Sequence, residues 1–566
     1  MEIRPQLNLT TRPKILPATA TAARPEVSPE SAVPSESFVS SSVVSQTSGV
    51  SSAQLPTSAP PALPRPVIFV HGFNGTAESF QPMTDWLGAA NKDGGIVDPN
   101  RLEGLDGEAK MFTLRFSRPY NSIETNSAEL KKTVEAITKA TGSPEVDLIV
   151  HSLGGLDGRD FLREPDEKIQ RMVMIGTPNH GSQLANLELI FREKFGWPIK
   201  PPVDDQEVRT VLNQLKIDNP YLNELNGGWP QQRGRADMMI IAGAGVPTLS
   251  GGLGITAIGD GVVTRRSANL DGIETKTAWF KTHGALLKTA SVMENAAEFL
   301  VSGKALTSEA NLYDSPSAEK AANDLLAGKT AKGSHIGGAS FAEVQQASQL
   351  PILDPAFQLG LGLGVVASLM GGTAMPLPVV DIGLSSSQGQ SAVRADYHVD
   401  LNREFDPVQG RGTINGQAYT ERANLVEGKL QWQTDGASGS NLLIEVGSDE
   451  KSLAITGQLS GVNADLRLAP FTDASGHIAG IETVGVLNGE QYFMKSTVDV
   501  EGILSGTAGR DGEMHVVGLV DGQAVEKSYQ VGIERAPGGL HLRARGAGVN
   551  VGQEQDIAVD VHVQGR

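Results

Sequence analysis

The residues best suited to chemistry lie in the run Val150-His151-Ser152-Leu153-Gly154-Gly155, where a predicted apolar strand meets a predicted helix. A sharp turn between strand and helix lifts a serine hydroxyl above a parallel sheet, and small neighbours let the two elements approach. Gly154 and Gly155 meet this requirement, whereas a branched Val150 two residues before the serine crowds the turn. The run therefore predicts Ser152 as a nucleophile.

A second motif, His71-Gly72-Phe73-Asn74-Gly75, follows the apolar run Val67 to Val70. A small residue here lets the chain turn sharply, so that the backbone N–H of Phe73 can point at the same spot as the N–H of Leu153. Two such donors aimed at a developing oxyanion lower the barrier by roughly 3 to 4 kcal/mol each. We therefore predict an oxyanion hole formed by Phe73 and Leu153.

A serine at neutral pH needs a base, and the base needs an acid that orients it. His283 follows the last strand candidate of the same region, in the chain order serine, acid, histidine. Asp260 lies beyond a predicted strand end, where catalytic groups gather in a parallel sheet, whereas Asp237 begins a strand at the opposite end. The predicted triad is Ser152, Asp260 and His283.

Composition limits the possible classes of protein. The chain has 566 residues, a formal net charge of -18 and no cysteine. The missing thiols exclude disulfides, thiolate zinc sites and iron–sulfur clusters, and we expect no cofactor. The negative charge repels nucleic-acid phosphates, so we expect no nucleic-acid partner. Contact with a lipid surface would depend on apolar residues.

The elements that must position these residues lie between residues 66 and 303, where short β-branched runs alternate with helical patterns. This alternation predicts an α/β domain with a mostly parallel sheet. The predicted strands are Val67 to Val70, Met111 to Arg115, Val146 to Val150, Arg171 to Ile175, Ala236 to Ala242 and Lys276 to Phe280, and the predicted helices are Ser79 to Ala90, Glu124 to Ala140 after a Ser122 N-cap, and Leu153 to Leu162.

Composition also divides the rest of the chain. Residues 1–65 are rich in Ser, Pro and Ala and predict a disordered tail without an apolar signal-peptide core, so we expect a cytoplasmic protein or export by a leaderless route. Residues 304–385 predict a linker, and within it Ala356 to Met375 is uncharged and long enough to span a bilayer or to form a buried hairpin. Residues 386–566 carry regular turn signals and an alternating final run, Ile557 to Val563, which predict an antiparallel barrel or meander.

A cap is expected between residues 182 and 235. Leu184, Leu187, Ile190, Phe191 and Phe195 recur there at helical spacing. Such an amphipathic helix could open as a lid toward a lipid interface, or its apolar stripe could pack permanently on the sheet. Trp197 and Trp229 could line an acyl channel or serve packing alone.

Four motifs together resemble the α/β-hydrolase fold, and specifically the bacterial true-lipase and inositol-deacylase-like group. They are His71-Gly72-Phe73, His151-Ser152-Leu153-Gly154-Gly155, Gly176-Thr177-Pro178-Asn179-His180-Gly181-Ser182, and Asp260-Gly261-Val262-Val263 followed by His283. The resemblance covers a little under half of the chain. It implies Ser152 as nucleophile, His283 as general base and then acid, Asp260 as its orienting carboxylate, and Phe73 with Leu153 as the oxyanion hole.

Some lipases of this group hold calcium through an aspartate shortly after the catalytic histidine, but Gly284-Ala285-Leu286-Leu287 follows here, so no metal is expected. The resemblance implies a serine hydrolase that cleaves carboxylic esters of lipids through an acyl-serine, with transient contact to a lipid interface. A phospholipase, thioesterase or acyltransferase would use the same triad. A lipid-binding or adhesion protein with an inactive hydrolase scaffold is the alternative from another class, motivated by Val150 and the long C-terminal remainder.

Overall fold

The computed structural model describes residues 55–565 except for short gaps. The gaps are 119, 165–167, 187–204, 247, 251–253, 257, 328–350, 359, 362–377, 389, 401–407, 437–438, 447–451, 473–477, 488, 499–510, 521–522, 537–538 and 551–552.

An eight-stranded parallel sheet forms the first part of the fold, with strand order β10-β9-β6-β5-β4-β1-β3-β2. Its central strands are buried on both faces, as expected when helices cover both sides of a parallel sheet. The strands are β1 (Val67–Val70), β2 (Asp93–Val97), β3 (Met111–Leu114), β4 (Val146–His151), β5 (Ile169–Ile175), β6 (Asp237–Ala244), β9 (Glu274–Trp279) and β10 (Asn311–Leu312), with a hairpin of β7 (Thr248–Ser250) and β8 (Gly254–Thr256) inserted.

Helices cover both faces of this sheet, and others lie in the cap region and against the C-terminal barrel. Ser122 caps the second of them by accepting a hydrogen bond from the Thr125 N–H, as predicted. The helices are α1 (Gln81–Leu87), α2 (Ile123–Thr141), α3 (Leu153–Phe161), α4 (Asp205–Leu215), α5 (Pro220–Gly227), α6 (Trp229–Gln232), α7 (Arg265–Ala268), α8 (Ala290–Ser302) and α9 (Pro316–Leu326), with 3-10 turns at Ala77–Phe80, Ala285–Lys288 and Pro351–Leu353.

The predicted α/β architecture is confirmed, and all six predicted strands are present within a few residues of their expected ends. Two edge strands, β2 and β10, were not predicted. The first contains Gly94 and Gly95 and is largely exposed, so it lacks an apolar signal. Residues 55–65, expected to belong to the tail, pack on the domain, because Leu63 is buried and Arg65 pairs with Asp147 at 3.0 Å.

A closed antiparallel barrel of 14 strands forms the C-terminal part, which confirms the predicted all-β domain. Alternate residues face inward, as Ile557, Val559, Val561 and Val563 of the last strand do. The strands are β11 (Pro378–Gln388), β12 (Ser391–Val399), β13 (Val408–Ile414), β14 (Gln417–Val426), β15 (Lys429–Gly436), β16 (Asn441–Val446), β17 (Leu453–Leu459), β18 (Val462–Thr472), β19 (Ile478–Leu487), β20 (Glu490–Val498), β21 (Asp511–Val520), β22 (Gln523–Ala536), β23 (Gly539–Asn550) and β24 (Gln553–Gly565).

The structure divides the expected linker, residues 304–385, among several elements. Residues 311–326 supply β10 and α9 to the α/β part, and β11 begins the barrel at Pro378. Between them, Ile352, Leu353, Ala356 and Phe357 join the apolar cluster formed by the inward-facing barrel residues. A 14-stranded barrel is wider than its side chains alone can fill, and this piece of chain packs against its inner wall.

The stretch Ala356 to Met375, predicted to span a bilayer or to form a buried hairpin, is described only at residues 356–358 and 360–361, which are helical. In the part of the chain that the structure describes, no helix is both long and apolar enough to cross a membrane.

Candidate active site

Ser152 occupies the turn between β4 and α3 in a strained backbone conformation. Its φ and ψ angles are 54° and -126°, a region that residues with a side chain rarely adopt. Val150 is fully buried beneath the turn, where a methyl group added at Gly158 would lie 3.9 Å from Val150 Cγ1. That distance is an ordinary van der Waals contact, so the buried core accommodates the branched side chain that the sequence pattern made questionable.

His283 and Asp260 form a hydrogen-bonded pair at the carboxyl ends of the sheet strands. Nδ1 of His283 lies 2.8 Å from Oδ2 of Asp260, and the His283 N–H donates to the Asp260 carbonyl oxygen at 2.8 Å. The other carboxylate oxygen accepts from the N–H groups of Val262 and Val263 at 3.0 and 2.7 Å. Asp260 is only 1% exposed, so these partners fully satisfy a buried carboxylate.

The serine turn and the histidine ring meet at the end of β5. Ser152 N–H donates to the Ile175 carbonyl at 2.9 Å, and a methyl group added at the next residue, Gly176, would lie 3.1 Å from His283 Cε1. Among the hydrogen bonds of the described residues, none joins Ser152 Oγ to the His283 ring. Such bonds are often long before substrate binds and tighten in the complex.

The two motifs that carry the predicted oxyanion residues also meet. A methyl group added at Gly72 would lie 2.9 Å from Leu153 N and 2.5 Å from Ser152 Cβ, so the two motifs are in direct backbone contact. Leu153 is the first residue of α3, and N–H groups in a first helical turn have no partner within the helix. The Phe73 ring packs against Tyr120 with a centroid distance of 5.0 Å, which holds the first motif in place.

His151 supports the base in a way that the sequence did not reveal. Its ring lies 4.6 Å from the His283 ring, and its Nε2 is 3.1 Å from the His283 carbonyl oxygen. Burial lowers the pKa of His151 well below its ordinary value, and the neighbouring His283 ring acts in the same direction. A neutral His151 therefore donates one N–H to the chain that carries the base. The one sequence feature that could have indicated this role is the position of His151 directly before Ser152.

The rejected acid candidate Asp237 and the motif histidines His180 and His71 have other partners. Asp237 is exposed at the amino end of β6 and pairs with Arg171 at 3.7 Å. His180 lies 3.1 Å from the Ser267 carbonyl through Nδ1. His71 is buried, and its Nδ1 lies 3.1 Å from the Gly72 carbonyl.

The cap region contributes an apolar cluster beside the nucleophile. Side chains of α4 and α5 pack with Leu153 and Leu156 of α3, and Phe73 borders the same cluster. Of the expected lid stripe, only Leu184 lies within the described residues, and it packs with the inner cluster of the barrel. Leu187, Ile190, Phe191, Phe195 and Trp197 lie outside the described residues. Trp229 is buried, with the Arg159 guanidinium 5.1 Å from its ring centroid.

The residues after His283 lack the aspartate that the resemblance would require for a calcium site. Gly284 leads into the 3-10 turn Ala285–Lys288, in which Leu286 and Leu287 are buried, so no carboxylate follows the histidine here. In the described residues, no group of three or more His, Asp or Glu side chains is arranged to hold a metal ion.

Comparison with known proteins gives partial matches. No family model matches the chain. A triacylglycerol lipase of Pseudarthrobacter phenanthrenivorans is 28% identical over 121 residues, which are 21% of this chain and 35% of the relative. A triacylglycerol lipase of Burkholderia plantarii is 27% identical over 121 residues, 21% of this chain and 31% of the relative. The chain thus spans about a third of the length of these curated relatives.

Solved structures overlap with the chain at low identity. The lipase BlEst2 of Bacillus licheniformis in its mature form has a TM-score of 0.29 at 19% identity, covering 44% of this chain and 94% of that one. The phospholipase PlaB of Legionella pneumophila has a TM-score of 0.30 at 16% identity, covering 39% and 53%. The sequence matches to curated lipases confirm the resemblance that was predicted from the motifs.

Proposed function

We propose that the chain is a serine hydrolase that cleaves carboxylic esters of lipids through an acyl-Ser152 intermediate. The observation that carries the proposal is the strained Ser152 turn beside the His283–Asp260 pair, whose ring nitrogen and carboxylate oxygen are 2.8 Å apart. The matches to curated triacylglycerol lipases support the same class of chemistry for the matched segment.

In the acylation step, Ser152 Oγ attacks the ester carbonyl carbon while its proton passes to Nε2 of His283. The carboxylate of Asp260 can only accept, so it holds the proton on Nδ1 and leaves Nε2 free to act as the base. The carbonyl oxygen becomes an oxyanion that the N–H groups of Phe73 and Leu153 stabilise. His283 then gives its proton to the departing alcohol, and the acyl group remains on Ser152.

In the second step, water attacks the acyl carbon and gives a proton to the same Nε2. His283 returns that proton to Ser152 Oγ as the carboxylic acid leaves, so the enzyme is regenerated unchanged. His151 assists both steps by fixing the backbone of the base through its bond to the His283 carbonyl.

The test is ester hydrolysis by the Ser152→Ala variant. Wild-type protein should release p-nitrophenol from acyl esters, and the variant should lose about 10⁴- to 10⁶-fold of that rate. Ser127→Ala is a matched control, since Ser127 is also buried but lies on α2. A Ser152→Ala variant that is folded and as active as the control would refute the proposal.

Two further measurements separate the alternatives. A fluorophosphonate probe should label wild-type protein at Ser152, whereas a binding protein with an inactive scaffold would stay unlabelled. A series of esters from acetate to palmitate, with and without an emulsion interface, distinguishes a lipase from an esterase. The same triad would serve a phospholipase, thioesterase or acyltransferase, and rates on phospholipids, acyl thioesters and acceptor alcohols distinguish these.

A further inference from the structure

A tight turn of the barrel contacts the loops that carry the proposed acid and base. Glu427 and Gly428 join β14 to β15 with φ angles of 48° and 74°. A methyl group added at Gly428 would lie 1.8 Å from the Gly245 carbonyl oxygen and 2.9 Å from Cδ1 of Phe280. The backbone of the turn is therefore in direct contact with both residues.

Both contacted residues are close to the proposed triad. Gly245 follows β6 and precedes Val246, whose N–H donates to the Gly259 carbonyl at 3.1 Å, next to Asp260. Phe280 follows β9 three residues before His283, and its N–H donates to the Ala244 carbonyl at 2.6 Å. The barrel turn thus touches the start of each catalytic loop.

Phe280 is held in a conformation that it would not adopt unaided. Its φ angle is 59°, which is unfavourable for an aromatic residue and persists only where the surroundings impose it. Its ring lies against Gly245, where an added methyl group would be 2.4 Å from Cδ1, and against Gly428 on the barrel side. Contacts from two directions therefore fix this residue.

A second contact involves the acid loop itself. Val262 packs against the apolar cluster of the barrel interior, and its N–H donates to Oδ1 of Asp260 at 3.0 Å. Leu184 joins the same cluster, and the neighbouring Ser182 donates its hydroxyl to the Val262 carbonyl at 2.7 Å. The barrel therefore supports the acid loop as well as the base loop.

We infer that the β14–β15 turn of the barrel is a positioning element for the hydrolase site, and that Gly428 holds Phe280 and Gly245 so that His283 stays aligned on Asp260. This inference rests on the proposed function. It assigns the barrel an indirect part in catalysis, through the loops that carry Asp260 and His283.

The test compares Gly428→Ala with Gly416→Ala. Gly416 has a φ angle of 79° in the turn Asn415-Gly416, and a methyl group added there has no neighbour within 4 Å. Both glycines have a left-handed φ, 74° and 79°, so both variants strain the backbone, and only Gly428→Ala displaces the turn from Phe280. We expect Gly428→Ala to lower kcat and the rate of fluorophosphonate labelling by at least about tenfold with KM nearly unchanged, since misplacement of about 1 Å far from the chemistry can cost up to 10²-fold.

A second readout reports on the base directly. The low-field proton resonance of the His283–Asp260 hydrogen bond should weaken or shift in Gly428→Ala and remain in Gly416→Ala. Phe280→Ala, placed on the α/β side, should reproduce the loss even if Gly428→Ala fails to fold. Circular dichroism establishes that the barrel is intact in each variant.

The outcomes separate the two proposals. A wild-type protein that the probe does not label refutes the proposed function, and the inference with it. A labelled wild-type with folded Gly428 and Phe280 variants that react equally fast refutes the inference alone. A variant that reacts faster than wild-type also overturns it, because the turn would then obstruct the site instead of aligning it.

Discussion

Asp354 connects the chain segment inside the barrel to the barrel wall, and its replacement should destabilise the barrel. Its Oδ1 accepts the N–H groups of Ala356 and Phe357 at 2.9 and 3.3 Å. Its Oδ2 accepts the hydroxyl of Tyr529 at 2.8 Å and lies 3.9 Å from Nζ of Lys527. Asp354 is 5% exposed and Lys527 is 4% exposed, so solvent screens these interactions little.

The cost of Asp354→Ala follows from these partners. Losing the helix cap costs about 1 kcal/mol. The stranded hydroxyl of Tyr529 adds about 1 to 3 kcal/mol, and leaving the buried Lys527 without its countercharge would add about 3 to 5 kcal/mol. Lys527 limits the last contribution by releasing its proton, because burial already lowers its pKa. The three contributions add to about 5 to 9 kcal/mol, and proton release by Lys527 places the expected total at the lower end, about 5 to 6 kcal/mol. We expect about half of this loss for Asp354→Asn, which keeps the cap.

Denaturant titration measures this loss in the transition that changes the emission of Trp432, which is 1% exposed in the barrel core. Asp381→Ala is the matched control, since the Asp381 side chain is 56% exposed on the outer face of β11. Removing Asp354 lowers the pKa of Lys527 in the folded state further. Between that lowered pKa and the ordinary value near 10.5, the unfolded chain keeps a proton on Lys527 that the folded chain has lost. The difference in unfolding free energy between wild type and Asp354→Ala should therefore narrow as pH rises from 7 toward 10. Equal midpoints for Asp354→Ala and Asp381→Ala would refute this reasoning.

Two further predictions concern the active site. Gly72→Ala should abolish the proposed esterase activity, because the added methyl group would lie 2.5 Å from Ser152 Cβ. Gly227→Ala should stay active, since a methyl group added there has no neighbour within 4 Å. Comparable turnover in both variants would contradict the described contact. The difference in unfolding free energy by which wild type exceeds His151→Asn should shrink as pH falls from 7.5 to 5.5. Burial lowers the pKa of His151, so below about 6.5 this side chain takes up a proton only in the unfolded chain. Urea titrations at several pH values measure this difference, and a constant or widening gap counts against it.

Local chemistry made much of the site predictable. The turn that carries Ser152 is encoded within six residues, since an apolar strand must give way to glycines that let α3 approach. The preference for Asp260 over Asp237 followed from strand direction, and the structure places Asp237 at the opposite end of β6. The assignment of the triad itself stays a prediction until Ser152 is tested.

Other features depended on contacts that no local pattern contains. The first barrel strand has inward-facing Val380, Ile382 and Leu384, but the proline at its start and the serines after Leu384 concealed it within the expected linker. The contact between Gly428 and Phe280 joins residues far apart in sequence, and a turn glycine looks the same whether or not it touches another element. The support that His151 gives to His283 is equally non-local.

The barrel closes where its first strand meets its last, with Pro378 opposite Gly565. Every strand of the barrel consequently has two hydrogen-bonded neighbours. Removing either terminal strand would leave two edge strands with unpaired backbone N–H and C=O groups. Deleting about a dozen residues from the C-terminal end would therefore remove β24 and open the barrel. Successive C-terminal deletions should therefore abolish folding of the C-terminal domain in a single step, and should not reduce its stability gradually.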